Sequence, residues 1–345
     1  MVVLFSPALP AQVNLSKQDR IHTEKAYQRA KKDFAAFESK HGRTIQTKNV
    51  RMHYLTWGNP SNPALIWSHG SLLNAYELLP VADSLAKAGF YIIAIDYYGH
   101  GSTPIPDHEV SLYHVADDIK YLMDSLKINK AFIGGFSRGG YISTAFYDAY
   151  PQRVLGLVLE DGGSVGSNTY YDKLSQQELN RRAKVFDVKT HAPWDTTYNS
   201  EMDAFNSIYD KNDKGNQFEN LAIIKKDQVG KWVFYPGLLE LFHLRNSQEF
   251  LDLTLRPAKI PLFAESMVIM EPKIIFRNLK VPVLIMDPYG KGDENPVEKE
   301  NQDLQKEHPA FITYIGYKDS GHNVLYEYPS KFTKDVTDFL KRSLK

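Results

Sequence analysis

The chain has 345 residues, no cysteine, and 41 Lys+Arg against 41 Asp+Glu. Without a thiol there is no cysteine nucleophile, disulfide or cysteine-ligated zinc. A formal charge of zero supplies no basic patch for nucleic acid or an anionic bilayer, and no apolar run reaches the ~20 residues of a membrane span. Hydrophobic residues make up 43%, as in an ordinary globular chain, and the length suits two domains or one domain with an insertion.

Residues 1–13, MVVLFSPALPAQV, are apolar and rich in small residues. They fit either a disordered or surface-docked arm or the tail of an export signal without its positive start, so cytoplasmic and exported locations both stay open. Ser16-Lys17-Gln18-Asp19 begins a helix with a capping-box-like start. Ile21, Ala26, Tyr27, Ala30, Phe34 and Phe37 then recur at helical spacing up to a stop at Gly42. This arm and helix, 1–43, should pack outside the main fold.

From Thr44 the period changes to two. Thr44–Thr47 and Val50–Trp57 read as hairpin arms and Ala64–Trp67 as a buried strand. A helix is expected over 75–88, a strand over 91–95, a helix over 112–126, a strand over 131–135, a helix over 138–150 and a strand over 154–159. Such alternation predicts an α/β fold, a mostly parallel sheet with helices on both faces. Ligands then bind beyond the carboxyl ends of the strands, where His69, Asp96, Ser137 and Asp161 all fall.

The alternation stops over 164–275, an aromatic-rich, largely helical stretch that includes Tyr198, Phe205, Trp232, Tyr235 and Phe242. It resumes with strands at 281–286 and 311–315 and a last helix over 329–344. A core of 44–163 and 276–345 is therefore interrupted by an insert placed to roof the strand ends as a cap.

One stretch carries chemistry: Ala131-Phe132-Ile133-Gly134-Gly135-Phe136-Ser137-Arg138-Gly139-Gly140. An apolar run ends at a serine with glycines two residues either side, and a helical pattern follows. A serine on a strained strand-to-helix turn leaves no room for side chains at Gly135 and Gly139, and the turn lifts the hydroxyl clear of the sheet. The hydroxyl needs a base and the base an orienting acid. Of eleven histidines, His322 in Ser320-Gly321-His322-Asn323 follows the last strand and reaches the same rim. The acid is expected at Asp293, deep in the loop after the preceding strand, with Asp287, Asp161 and Glu160 as alternatives. Backbone N–H groups of Arg138 and of Ser71 or Leu72 are the expected oxyanion donors. His69 and Asp96 should shape loops, and the Arg138 side chain should either salt-bridge at the helix start or meet a substrate carboxylate.

His69-Gly70-Ser71, Asp96-x-x-Gly99-x-Gly101-x-Thr103, Gly135-Phe136-Ser137-Arg138-Gly139-Gly140, Gly290-x-x-Asp293 and Gly321-His322 together resemble the α/β-hydrolase fold superfamily, in its capped members with a serine nucleophile. The order Ser, Asp, His is that family's. The resemblance implies Ser137 as nucleophile, Asp293 as acid, His322 as base, a lid between the sixth and seventh sheet strands, and no cofactor or metal. It departs from the usual pattern where Asp287-Pro288-Tyr289 intervenes before Gly-x-x-Asp. The implied activity is hydrolysis of a carboxylic ester, lactone or related acyl compound. Alternatives are a proline iminopeptidase with Glu201, Asp203 or Glu240 as amine anchor, a C–C hydrolase, a cofactor-free haloperoxidase-like enzyme, or a non-catalytic small-molecule receptor. Serine in place of aspartate argues against epoxide and haloalkane hydrolysis. The expected partner is a small-molecule substrate, and a homodimer stays open.

Overall fold

A computed structural model describes residues 17–184, 196–213, 215–255, 260–293 and 295–345, with backbone alone for 17–22. The arm at 1–13 and the Ser16 cap lie outside the described residues. Helix α1 (Lys17–His41) leads into strands β1 (Gly42–Gln46) and β2 (Arg51–Trp57), then β3 (Ala64–Ser68). A 3-10 turn and helix α2 (Leu79–Lys87) precede β4 (Tyr91–Ile95). Helix α3 (Leu112–Ser125), β5 (Ala131–Phe136), α4 (Arg138–Ala149) and β6 (Val154–Glu160) complete the first half.

The strands form an eight-stranded sheet in the order β1-β2-β4-β3-β5-β6-β9-β10, with β9 (Val283–Tyr289) and β10 (Ile312–Lys318) at the far side. Only the β1/β2 and β2/β4 pairs are antiparallel. The period of two sorts side chains onto two apolar layers: Ile66, Ile93 and Ile133 enter one, and Leu65, Trp67, Ile92 and Phe132 the other. Being covered on both faces, β3, β4 and β5 are buried at every residue, as a parallel sheet between helices requires.

The last strand but one is longer than the sequence suggests. β9 continues through Asp287, Pro288 and Tyr289, paired with Gly316, Tyr317 and Lys318 of β10. Its pairing with β6 ends at Glu160–Met286, so Pro288 lies where β9 is flanked on one side only, a setting that tolerates a missing N–H.

Between β6 and β9 the chain carries short helices, among them Glu201–Ile208, Leu238–Phe242 and Leu262–Val268, and a hairpin of β7 (Ile224–Lys226) and β8 (Trp232–Phe234). Sequence pattern does not announce this hairpin. Its strands are three residues each, too short for a period of two to register, and Gly230 (φ 81°) turns the chain between them. The segment packs back on the core through Tyr235, whose hydroxyl donates to Leu73 O (2.8 Å) and accepts from Asn74 Nδ2 (2.9 Å). Helix α1 lies outside the sheet but is pinned at its middle and near its C-terminal end. Tyr27 and Ala30 share an apolar cluster with Phe205, Leu221 and Phe234, while Glu38 meets His53 Nε2 of β2 (3.1 Å).

Candidate active site

Ser137 ends β5 in a backbone conformation foreign to L-residues, φ 51° and ψ −117°. The strain is held from both sides: Ser137 N donates to Glu160 O (2.8 Å), and Gly140 N donates to Ser137 O (2.9 Å). Glycine is required at the flanks. A Cβ on Gly139 would overlap the Ser68 carbonyl, and one on Gly135 would overlap the Gly139 backbone. β5 lies between β3 and β6 in the sheet, so the loops after β3 and β6 converge on the serine.

His322 closes the arrangement. Ser137 Oγ lies 2.9 Å from its Nε2, and its Nδ1 is hydrogen-bonded to Asp161 Oδ2. The chemistry fixes the tautomer: Nδ1–H donates to the carboxylate, leaving Nε2 free to accept the hydroxyl proton. The Phe136 ring, centroid 4.6 Å away, packs against the imidazole. Both partners are nearly dry, their side chains 10% (His322) and 8% (Asp161) exposed. Burial pushes the Asp161 carboxyl up to about 7.

The carboxylate at the histidine is thus Asp161, and the expectation of Asp293 is corrected. Asp293 occupies a loop that packs beside the histidine loop, with Gly292 against Ser320 and Gly321. Its Oδ1, however, accepts Asn295 N (2.9 Å) in a local turn and is spent there. Burial lifts Asp293 to about 6. Asp287, the alternative on the same strand, is buried within β9 and accepts from the Tyr314 hydroxyl (3.1 Å). Burial first, and the Asp161 charge second, push it to about 8. Asp161 wins by sheet order. It follows directly on β6, the neighbour of the strand that leads to Ser137, and its φ of 40° turns it at that rim.

Of the residues that carry the histidine loop, Glu77 escaped the sequence pattern and Glu160 was expected only as an alternative acid. Glu160 Oε1 accepts Leu325 N (2.9 Å), and Glu77 Oε1 accepts Asn323 Nδ2 (3.0 Å). Both glutamates are buried, Glu77 also accepting from Trp67 Nε1 (3.1 Å). Desolvation lifts Glu77 to about 8, and desolvation together with the Glu77 charge lifts Glu160 well above the usual carboxylate range. The available signal was weak: one glutamate beside Asp161, another in an unremarkable helix start.

Around the serine, the loop after β3 and the start of α4 meet. Arg138 opens α4, where backbone N–H groups have no intrahelical acceptor. Of the two expected loop donors, Leu72 N is engaged, donating to His100 Nε2 (3.3 Å). His100 Nδ1 donates to Tyr98 O (3.0 Å), and burial holds the ring well below its ordinary range, hence neutral. His69 stacks on Tyr97 (4.1 Å), its Nδ1 bonded to Gly70 O (2.7 Å), with burial pulling it down to about 4. Asp96 accepts from Ala75 N (2.7 Å), Ser102 N (3.1 Å) and His53 Nδ1 (2.6 Å), tying the loops after β3 and β4 together. No cluster of three or more metal-ligating side chains occurs among the described residues, nor does any described helix have the length and apolarity to cross a membrane.

Comparison with known proteins decides the family: the pattern of the alpha/beta hydrolase fold matches residues 63–328. The chain belongs to the α/β-hydrolase fold family. Its relatives include bifunctional epoxide hydrolase 2 of Sus scrofa, 27% identical over 153 residues, which are 44% of this chain and 27% of that protein. Another is the 2-hydroxy-6-oxononadienedioate/2-hydroxy-6-oxononatrienedioate hydrolase of Burkholderia vietnamiensis, 33% identical over 128 residues, 35% of this chain and 43% of that protein. The matches thus span less than half the length of these two relatives. Among solved structures, the enol-lactonase of Burkholderia xenovorans LB400 aligns with a TM-score of 0.57 at 18% identity, covering 87% of this chain and 100% of that one. Carboxylesterase CesB of Bacillus subtilis aligns with a TM-score of 0.56 at 18% identity, covering 92% and 98%. At such identity the structural likeness speaks for the fold.

Proposed function

We propose that the protein is a serine hydrolase that cleaves a carboxylic ester, lactone or related acyl compound through an acyl-enzyme, with Ser137 as nucleophile, His322 as general base and Asp161 as orienting acid. The hydrogen-bonded series from Ser137 Oγ through His322 to Asp161 carries the proposal. Ser137 Oγ attacks the acyl carbon while its proton passes to His322 Nε2, and the carbonyl oxygen becomes an oxyanion facing the Ser71 and Arg138 N–H groups. Each such donor contributes about 3–4 kcal/mol in comparable sites. The imidazolium protonates the leaving oxygen as the acyl C–O bond breaks. Water, deprotonated by His322, then attacks the acyl-enzyme, and the Ser137 oxygen leaves with that proton. The chemistry calls for no cofactor.

Serine at the turn separates this chain from an epoxide hydrolase reading, because opening an epoxide into a hydrolysable ester intermediate needs a carboxylate nucleophile. Esterase and lactonase names among the structural neighbours fit the acyl chemistry. The test is covalent labelling by a fluorophosphonate together with hydrolysis of short p-nitrophenyl esters. Wild type should react in both assays and Ser137→Ala in neither. Wild-type protein that neither labels nor turns over would end the proposal and favour a binding role on the same scaffold.

A further inference from the structure

Arg138 holds a charge without a counter-charge among the described residues. Its side chain follows the serine directly, and the residue is 3% exposed. Nε donates to Ser71 Oγ (2.9 Å), and the guanidinium lies over the Phe242 ring at 4.0 Å with Phe263 at 5.6 Å. Nη1 has no acceptor, and none of the ion pairs among the described residues includes Arg138. The titratable groups that face it among the described residues, Tyr97, Tyr141 and His100, are uncharged at neutral pH. Burial raises Tyr97 and Tyr141 and lowers His100, and Arg138, lowered by burial to about 10, keeps its proton.

Taking a lone cation out of water costs several kcal/mol, and an apolar side chain would pack on Phe242 without that cost. A folding role therefore does not account for the residue. Stacking fixes the flat face of the guanidinium and leaves Nη1 without an acceptor, a planar charged donor of the kind that takes a carboxylate oxygen. The Tyr97 hydroxyl lies against Ser71 and close to Arg138, and it too has no well-formed hydrogen bond. These donors lie beside Ser71, whose backbone N–H is assigned to the oxyanion, so an anion held there belongs to the same molecule as the acyl group under attack.

We propose that Arg138 seats a carboxylate of the substrate, and that the substrate is a half-ester, or an acid-bearing lactone, of a short dicarboxylic acid. This rests on the acyl-hydrolase reading for the position of the scissile carbonyl. The seat itself is testable without turnover.

Two measurements separate the questions. Calorimetric titration of succinate and glutarate into the Ser137→Ala full chain, with succinamide as neutral control, reads the seat alone. Binding of the diacids, at least about tenfold tighter than the amide and lost in Ser137→Ala/Arg138→Met, is expected. Inorganic phosphate, titrated in parallel, should bind more weakly than the planar diacids, and tighter phosphate binding would overturn the carboxylate assignment. Hydrolysis of monoethyl succinate against ethyl butyrate in a pH-stat reads its use: wild type should favour the half-ester in kcat/KM by about tenfold or more. In Arg138→Met that preference should collapse through a raised KM, and Arg138→Lys should restore part of it. An equal fall in kcat for both esters would mean that Arg138 only positions Ser71, and would overturn the proposal. Diacids that neither bind nor compete, with ethyl butyrate still hydrolysed, overturn the seat while the hydrolase reading stands. Diacid binding without any ester turnover would leave the seat and remove the hydrolase reading. Wild-type competition by succinate serves if the Met variant does not fold.

Discussion

Replacing Asp161 by Asn should cost far more activity than replacing Asp293 by Asn. Asp161 bonds His322 Nδ1 in a nearly dry setting, so its charge acts on the imidazolium with little screening. An amide of the same size can turn its NH2 toward Nδ1 and force the other tautomer. Nε2 then carries the proton and cannot accept one from Ser137 Oγ. In Ser-His-Asp proteases this change costs about ten-thousandfold in kcat, and each tenfold is about 1.36 kcal/mol. A loss of about a thousand- to ten-thousandfold, or about 4–5.5 kcal/mol, is expected here. Asp293→Asn keeps an oxygen for Asn295 N and should stay within about threefold of wild type. The assay is kcat/KM on a short p-nitrophenyl ester between pH 5 and 9, with thermal melts to confirm folding. Because burial raises Asp161 to about 7, the carboxylate is ionised above that value and protonated below it, so wild-type kcat/KM should fall as pH drops through about 7. A collapse in Asp293→Asn with near-normal rates in Asp161→Asn would refute the assignment of the acid.

Gly139→Ala should lower both stability and activity, since its Cβ would overlap the Ser68 carbonyl. A cost of about 1–3 kcal/mol is expected, read as an earlier urea midpoint. For Glu160→Gln the melting temperature should hardly move at pH 7, because the buried acid is raised well above its ordinary range and an amide oxygen still accepts Leu325 N. A drop above about 2 kcal/mol would show that Glu160 is ionised. His53→Gln should destabilise by about 3–5 kcal/mol near pH 6, as breaking a buried ionic pair does. His53 rises from 6.5 to about 10 through its bonds to Asp96 and Glu38, which outweigh desolvation. Its contribution is therefore full below about 6.5 and fades as pH climbs toward 10, and urea midpoints of the two proteins at pH 6 and pH 10 should converge accordingly.

The sheet, the serine turn and the histidine loop were readable from the chain alone because each rests on local chemistry. Period-two runs ending in polar residues mark buried strands, and Gly135 and Gly139 declare a turn in which a Cβ has no room. The start of a histidine loop is equally local. Asp161 was visible as a rim residue, but choosing among Asp161, Asp287 and Asp293 needed the register of β9 and the strand order. β9 runs two residues past Asp287, and β6, not β9, adjoins the strand of Ser137. Glu77 and Glu160 reach the histidine loop from 246 and 165 residues away, and no periodicity encodes such a meeting. Arg138 gives the same lesson. Its position after the serine was plain, while its lack of an ion pair among the described residues followed only from what folding placed around it: two phenyl rings, Ser71 and Tyr97. Sequence fixes backbone conformation and burial through forces a few residues long. Which charges meet, and which are left alone, depends on three-dimensional packing between segments the chain keeps far apart.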